Sequence, residues 1–186
     1  MTIVFLDRDG VINENKPDGY VQSWEEFVFI PGAKEALRRL AENDEVKIFV
    51  VSNQAGVGKG LVSASQVEEV NRRMKREIEV AGGRIDGILY CPHTAEDRCS
   101  DRKPEAGLLL RALGRTREFA HRRFMVGDAI SDMAAGKKVS AVAIMVKTGR
   151  GQDELKSIGD DDSSKPDYIA EDISEAAEII LQRLRL

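Results

Sequence analysis

The chain has 186 residues, of which 42% are hydrophobic and 32% are charged. These values are typical of one globular domain, residues 1–186, and exclude two domains of ordinary size. A net charge of −4 argues against non-specific nucleic-acid binding, and two cysteines are too few for a disulfide scaffold. An apolar run of about 20 residues is absent, and charge comes too early for a signal peptide. We expect a cytoplasmic monomer that binds neither nucleic acid nor membrane.

The hydrophobic pattern predicts strands that alternate with helices along the chain. Such alternation is typical of an α/β protein with a Rossmann-like, doubly wound parallel sheet, whose ligands bind beyond the carboxyl ends of the strands. A polar segment at residues 159–165 is interpreted as a solvated loop. Strands are predicted at residues 3–6, 46–51, 85–90, 124–126, 141–146 and 168–170, and helices that begin near residues 33, 65, 104, 132 and 174.

Two aspartates end the first predicted strand. Asp7 and Asp9 follow the apolar run directly and are separated by one residue. Residues i and i+2 of a strand point the same way, so both carboxylates can reach one small volume. Two carboxylates this close repel each other unless a cation or a shared proton intervenes. Mg²⁺ is the expected cation because it prefers oxygen ligands.

A second polar group follows the strand predicted at residues 46–51. Ser52, Asn53 and Gln54 stand at its carboxyl end. A hydroxyl group and the backbone amides that follow it could hold phosphate oxygens, as exposed amides do in other anion sites. A serine after a strand is also a common turn residue, so this group alone does not identify a site.

Further charged residues stand at two later positions. Arg102 and Lys103 precede Pro104, where a helix is predicted to begin and its dipole adds a positive field. Asp128 follows the strand at residues 124–126, and Asp132 comes four residues later, on the same predicted helical face. With the first aspartates, these residues form the set that phosphoryl transfer through an aspartyl-phosphate needs.

The four motifs, in this order, resemble those of the haloacid-dehalogenase superfamily of Mg²⁺-dependent phosphatases over most of the chain. The resemblance implies that fold with a minimal cap. It also implies that Asp7 attacks phosphorus, while Asp9 protonates the leaving alkoxide and then activates water. Ser52 and Lys103 would hold the transferring phosphoryl group.

The same resemblance implies a magnesium site. Asp7, Asp128 and the backbone carbonyl of Asp9 would ligate Mg²⁺, and Asp132 would support these ligands from behind.

A phospho-receiver domain, which is a binding module and not an enzyme, is the main alternative on a similar sheet. Receiver domains carry their phosphorylated aspartate on a middle strand, where this chain has Ser52. The doublet at Asp7 and Asp9 in the first strand favours the phosphatase.

A cysteine-containing loop, residues 91–103, indicates a second metal. Cys91, His93 and Cys99 are three Zn²⁺ ligands within nine residues of a polar stretch. The loop is similar to the zinc loop of a branch that includes heptose bisphosphate and histidinol-phosphate phosphatases, where the pattern is C-x-H…C-x-C. This chain has Asp101 where the last cysteine should be, and a carboxylate is an allowed ligand. We expect a structural Zn²⁺ with Asp101 as its fourth ligand.

The substrate is expected to be a small phosphorylated sugar. Residues 13–30 and 54–64 resemble the specificity loops of the heptose phosphatases, which favours removal of the 7-phosphate of D-glycero-D-manno-heptose 1,7-bisphosphate. Another sugar phosphate and histidinol phosphate remain alternatives, as do both anomers. The residues expected to contact substrate are Ser52, Asn53, Gln54, Lys59, Arg102 and Lys103, with Lys16 and Arg150 as further candidates.

Overall fold

A parallel β-sheet forms the centre of the molecule. The computed structural model describes residues 1–16, 19–116, 119–159 and 163–185, and these contain six strands in the order β3-β2-β1-β4-β5-β6. Parts of two predicted loops, residues 17–18 and 160–162, lie outside the described residues. The strands are β1 (Thr2–Leu6), β2 (Val46–Asn53), β3 (Gly87–Cys91), β4 (Arg122–Gly127), β5 (Val142–Val146) and β6 (Tyr168–Ala170).

Helices cover both faces of this sheet, as predicted. They are α1 (Ala33–Ala41), α2 (Ala55–Gly58), α3 (Ala64–Val80), α4 (Gly107–Leu113), α5 (Ile130–Lys138), α6 (Gly151–Ser157) and α7 (Ile173–Leu184). Val4 and Leu6 of β1 pack in a core with α1, α3 and α7. Ile3 and Phe5 point to the other face and pack with α4 and α5. The alternation of side chains along β1 therefore fills two cores, which is why all five of its residues are buried.

Two predicted helix starts are wrong. The helix expected from Pro104 begins at Gly107. The Glu105 amide donates to the Arg102 carbonyl in a turn, and the Gly107 amide donates to the carbonyl of Ser100. The helix expected after Asp132 begins at Ile130. Asp128 precedes that helix, so the expectation that Asp128 and Asp132 share one helical face is also wrong.

Among the other helices, one was predicted from its capping residues and two short ones were not. Helix α3 begins where expected: the Ser63 hydroxyl accepts from the Gln66 amide, and the Gln66 side chain accepts from the Ser63 amide. The short helices α2 and α6 were not predicted, because α2 has only four residues, two of them glycine, and α6 has seven. Among the described residues, no helix is both long and apolar enough to cross a membrane.

Candidate active site

Three neighbouring strands bring the predicted residues to one edge of the sheet. β1 lies between β2 and β4, so Asp7 after β1, Ser52 at the end of β2 and Asp128 after β4 are adjacent. A cavity of about 1180 Å³ opens above them, and its lining includes Asp7 and Asp9. Ser52 and Asp128 lie behind that lining, 2% and 0% exposed. The carboxyl edge of the sheet therefore forms the floor of a cavity, as the fold predicts.

Lys103 ties the acids of this floor together. Its Nζ lies 3.0 Å from Asp7 Oδ1 and 2.6 Å from Asp132 Oδ1, and it donates to the Val51 carbonyl at 2.8 Å. Asp7 Oδ1 also accepts from the Arg8 amide at 2.7 Å. An ammonium group has three donors, and three acceptors surround this one. Lys103 must therefore exchange one of these contacts before it can hold a phosphoryl oxygen.

Burial and the charges around Lys103 both shift the pKa values of this group. It raises the pKa of Asp7 to about 6, although the Lys103 ammonium acts in the opposite direction. It also raises the pKa of Asp132, again against Lys103. Burial alone would lower the pKa of Lys103, but the charges of Asp132 and Asp7 outweigh it and raise that pKa. Lys103 therefore stays charged at neutral pH and stabilises the ionised acids.

Asp128 is enclosed by two loops. Its Oδ2 accepts from Asn15 Nδ2 and from the Arg150 amide, each at 2.9 Å. A Cβ at Gly10 or Gly149 would lie 2.1 or 2.2 Å from this oxygen, and both glycines have positive φ, +85° and +61°. Only glycine allows both loops to approach so closely. Among the described residues, Asp128 Oδ1 has no hydrogen-bond partner.

The three acids form a group that could hold a metal ion. One oxygen from each of Asp7, Asp128 and Asp132 lies within 4.8 Å of the others. Burial and the charge of Asp7 raise the pKa of Asp128 to about 6. A buried carboxylate oxygen without a donor suits a hard cation, which would offset the repulsion between the acids. Asp132 is tied by Lys103 and by the Ala129 amide, at 3.1 Å, which suits the supporting role expected of it. We call Asp7, Lys103, Asp128 and Asp132 the acid–lysine cluster.

Asp9 is held by several donors. Arg8 Nη2 lies 3.0 Å from both of its oxygens, Asn13 Nδ2 donates to Oδ1 at 2.9 Å, and Gln54 Nε2 donates to Oδ2 at 2.7 Å. Burial would raise the pKa of Asp9, but Arg8 and these hydrogen bonds lower it. Gln54 Nε2 also donates to Ser52 Oγ at 2.8 Å, which leaves the hydroxyl proton of Ser52 for a phosphoryl oxygen.

Asn53 fixes the segment that carries Lys103. Its Nδ2 donates to the Lys103 carbonyl at 2.9 Å, and its Oδ1 accepts from the Lys103 amide at 3.0 Å. One side chain thus pairs with both backbone groups of a residue 50 positions away. This contact places Lys103 beside the carboxyl end of β2.

Four cations stand around the mouth of the cavity, and we call them the cationic rim: Lys16, Lys59, Arg102 and Arg150. Lys59 Nζ lies 5.7 Å from the centre of the Tyr20 ring. That ring packs on Gly56, where a Cβ would lie 2.7 Å from it. The two predicted specificity loops therefore meet at this contact.

The other rim cations are held differently. Lys16 Nζ lies 2.6 Å from Glu26 Oε1, so its charge is already paired. Arg102 Nη1 donates to the His93 carbonyl at 3.1 Å, which links it to the cysteine-containing loop. Arg150 is exposed; its amide donates to Asp128 Oδ2, and its Nε lies 3.8 Å from the same oxygen. All four cations keep access to the cavity that the acids line.

The cysteine-containing loop brings three of its four predicted ligands together. Ligand atoms of Cys91, His93 and Cys99 lie within 4.8 Å of one another, and Cys91 Sγ is 3.6 Å from His93 Nδ1. Burial and the neighbouring Cys99 thiol raise the pKa of Cys91 to about 11. Among the described residues, Asp101 is not in the group whose ligand atoms meet here. Its Oδ2 instead lies 2.5 Å from Arg111 Nη1 in α4.

A family model and similar proteins of known activity indicate the same family for this chain. Residues 100–176 match a family model described as HAD-hydrolase-like. The D-glycero-beta-D-manno-heptose-1,7-bisphosphate 7-phosphatase of Neisseria meningitidis serogroup A is 35% identical over 159 residues, 86% of this chain and 84% of that protein. The D-glycero-alpha-D-manno-heptose-1,7-bisphosphate 7-phosphatase of Mycobacterium tuberculosis is 42% identical over 141 residues, 75% of this chain and 74% of that protein. The chain belongs to the haloacid-dehalogenase-like phosphatases.

A solved structure supports the same assignment. The crystal structure of D,D-heptose 1,7-bisphosphate phosphatase from B. bronchiseptica, complexed with magnesium and phosphate, matches with a TM-score of 0.88. It is 30% identical and covers 98% of this chain and 99% of its own. The predicted fold and the prediction of a phosphatase are confirmed.

Several residues of this phosphatase site were missed in the sequence. Asn13, Asn15 and Gly149 stand in polar segments, and their contacts with Asp9 and Asp128 depend on how loops fold back. Arg8 had a signal that could have been used: a charged residue inside an apolar strand end needs a buried partner.

Proposed function

We propose that this phosphatase hydrolyses the 7-phosphate of D-glycero-D-manno-heptose 1,7-bisphosphate. The observation that carries the proposal is a single cavity, lined by Asp7 and Asp9 at its floor and by the cationic rim at its mouth. A carboxylate nucleophile and several cations in one cavity suit a sugar with two phosphates. The relatives named above support the same substrate, by the names they bear.

Asp7 and Asp9 divide the chemistry between them. Asp7 Oδ2, which the contacts with Lys103 and Arg8 leave unused, attacks phosphorus while the bond to the sugar oxygen breaks. Asp9 takes up a proton when the negatively charged phosphate binds beside it, and gives this proton to the leaving oxygen. Water then attacks the aspartyl-phosphate and gives a proton to Asp9. This step releases inorganic phosphate and restores Asp7. Lys103 and the Ser52 hydroxyl hold the transferring oxygens.

Magnesium fits the acids of this site. Asp7, Asp128 and the backbone carbonyl of Asp9 would hold it. The observation that favours this is Asp128 Oδ1, which has no hydrogen-bond partner in the part of the chain that the structure describes. Bound there, Mg²⁺ would neutralise charge on the phosphoryl group. The magnesium and phosphate in the B. bronchiseptica structure support this assignment.

Zinc fits the second group. Cys91, His93 and Cys99 offer two sulfurs and one nitrogen, the donors that Zn²⁺ prefers. Bonding of Zn²⁺ to the thiolate would offset the cost of removing the proton from Cys91, whose pKa is raised. We assign zinc a structural role: it would order the loop whose His93 carbonyl accepts from Arg102.

A phosphate-release panel with Mg²⁺ tests this proposal. It compares both anomers of heptose 1,7-bisphosphate, fructose 1,6-bisphosphate, histidinol phosphate and 4-nitrophenyl phosphate. Both anomers are needed because the relatives differ in this respect. We expect one heptose anomer to have the highest kcat/KM. Histidinol phosphate carries an amine, which a cationic rim disfavours. If histidinol phosphate leads every sugar bisphosphate, the heptose assignment fails and the phosphatase chemistry stands alone.

A further inference from the structure

Arg8 is a charged side chain in an unusual place. It stands between the two aspartates at the end of β1, yet it is only 1% exposed and is among the largest fully buried side chains. A buried guanidinium is unfavourable unless partners replace its water. Its position therefore requires an explanation in terms of those partners.

Two partners account for it. Arg8 Nη2 lies 3.0 Å from both oxygens of Asp9. On its other side, Arg8 Nη1 donates to Asn71 Oδ1 at 3.0 Å, across 63 residues of sequence. The guanidinium thus bridges an active-site carboxylate and helix α3.

Asn71 is itself anomalous. The buried face of α3 consists of Val67, Val70, Met74 and Ile78, and Asn71 stands among them at 6% exposure. An amide at a core position costs stability unless it is hydrogen-bonded. Neither Asn71 nor Arg8 lines the cavity, so the pair does not serve substrate contact.

We propose that Arg8 and Asn71 are positioning residues that fix the Asp9 carboxylate for transfer of a proton to the leaving oxygen. Asp9 lies in the loop beyond β1, where Asn13 and Gln54 each donate to one of its oxygens and Arg8 Nη2 contacts both. The planar fork of Arg8 sets its orientation, and Asn71 anchors the fork to a helix of 17 residues. The inference rests on the proposed function, because it assumes that Asp9 gives its proton to the alkoxide as the phosphorus–oxygen bond breaks.

Leaving-group dependence separates this role from general support of the fold. An alkoxide needs the proton of Asp9, whereas 4-nitrophenolate leaves without one. Variants Asn71→Leu and Arg8→Lys are compared with Asp9→Asn as reference. Val70→Ala is the matched control, since it loosens the same helix face without removing the Arg8 acceptor. Asn71→Asp keeps an acceptor of the same shape. The alkyl substrate is heptose 1,7-bisphosphate, or fructose 1,6-bisphosphate if the enzyme prefers it.

We expect Asn71→Leu to lower kcat/KM for the alkyl phosphate about 10- to 100-fold, part of the full effect of a general acid. For 4-nitrophenyl phosphate, kcat/KM should fall less than about threefold, because it reports only the steps up to release of the first product. The kcat for 4-nitrophenyl phosphate should fall more, because hydrolysis of the aspartyl-phosphate still needs Asp9 to activate water. Slow hydrolysis of this intermediate should give a burst of nitrophenolate. Arg8→Lys should change these rate constants in the same way as Asn71→Leu. Asn71→Asp and Val70→Ala should keep the wild-type ratio of the two kcat/KM values.

An equal loss for both substrates, or no loss, would overturn the inference. So would a ratio changed as strongly by Val70→Ala as by Asn71→Leu. If Arg8→Lys does not fold, the two Asn71 variants decide. The reference variant locates a failure: if Asp9→Asn itself shows no leaving-group dependence, the proposed role of Asp9 fails and the inference fails with it. If Asp9→Asn shows it and the other variants do not, only the inference fails.

Discussion

The acid–lysine cluster and the cationic rim are held in different ways. Every member of the cluster is at most 7% exposed, and its contacts join β1, β2, the segment before α4 and the start of α5. Lys16, Lys59 and Arg150 of the rim are exposed, on loops. A few loop substitutions can therefore change which phosphate ester is recognised, whereas a change in the cluster disturbs several elements and the chemistry together.

Asp7→Asn is expected to have the largest effect, because it removes the nucleophile. Phosphate release should fall by several orders of magnitude. The variant should still fold, since its amide oxygen can accept from the Arg8 amide and one buried charge is gone. Exposed Asp153→Asn in α6 is the control and should keep full activity. Substantial turnover by Asp7→Asn would show that the cluster is not the site of attack.

Arg102→Ala tests the rim. A charge-assisted contact with a second phosphate is worth about 1.5–3 kcal/mol, a preference of roughly 10- to 150-fold for a bisphosphate over its monophosphate. The substitution should remove most of that preference and cost the monophosphate less. Ratios of kcat/KM measure it, with exposed Arg76→Ala in α3 as control. An unchanged ratio would move recognition to Lys59 or Arg150.

The metal-free protein should lose stability as pH rises from about 4 to above 6. Burial raises the pKa of Asp7 and Asp128 to about 6 from an ordinary value of 3.8. The folded state thus binds more protons in this interval, and the stability from those protons disappears as the pH passes the folded-state pKa. Urea unfolding with EDTA at pH 5 and pH 7.5 measures this.

Two comparisons identify the acids as the cause of that loss. Asp128→Asn should weaken the pH dependence, because it removes one of the buried acids whose pKa is raised. Added Mg²⁺ should stabilise the protein more at pH 7.5 than at pH 5. Equal stabilisation at both pH values would contradict a metal site among these acids.

Asp101→Ala should have the smallest effect. Its carboxylate is paired with Arg111, so the variant should retain zinc at about one equivalent per chain, as the wild type is expected to. Cys99→Ser removes a ligand and should lose zinc on dialysis. Metal analysis of both proteins checks this. Loss of zinc by Asp101→Ala would restore the aspartate as fourth ligand.

The sequence predicted the residues at the strand ends better than the loop residues that contact them. Apolar runs that end in Asp7, Ser52 and Asp128 predict neighbouring strand ends, because parallel strands share a carboxyl edge. Contacts between distant loops leave no such pattern: Asn15 reaches Asp128 across 113 residues. The pairing of Asp101 with Arg111 left no such pattern either, because Arg111 lies in a helix that begins three residues later than predicted.

The covalent role of Asp7 is tested most directly by acid quench of the Asp9→Asn variant with ³²P-labelled 4-nitrophenyl phosphate and Mg²⁺. This substrate needs no proton on its leaving group, and loss of the Asp9 base slows hydrolysis of the intermediate. We predict protein-bound label that hydroxylamine removes and that peptide mapping places on Asp7. Nitrophenolate release without bound label, or label on another residue, would contradict attack by Asp7.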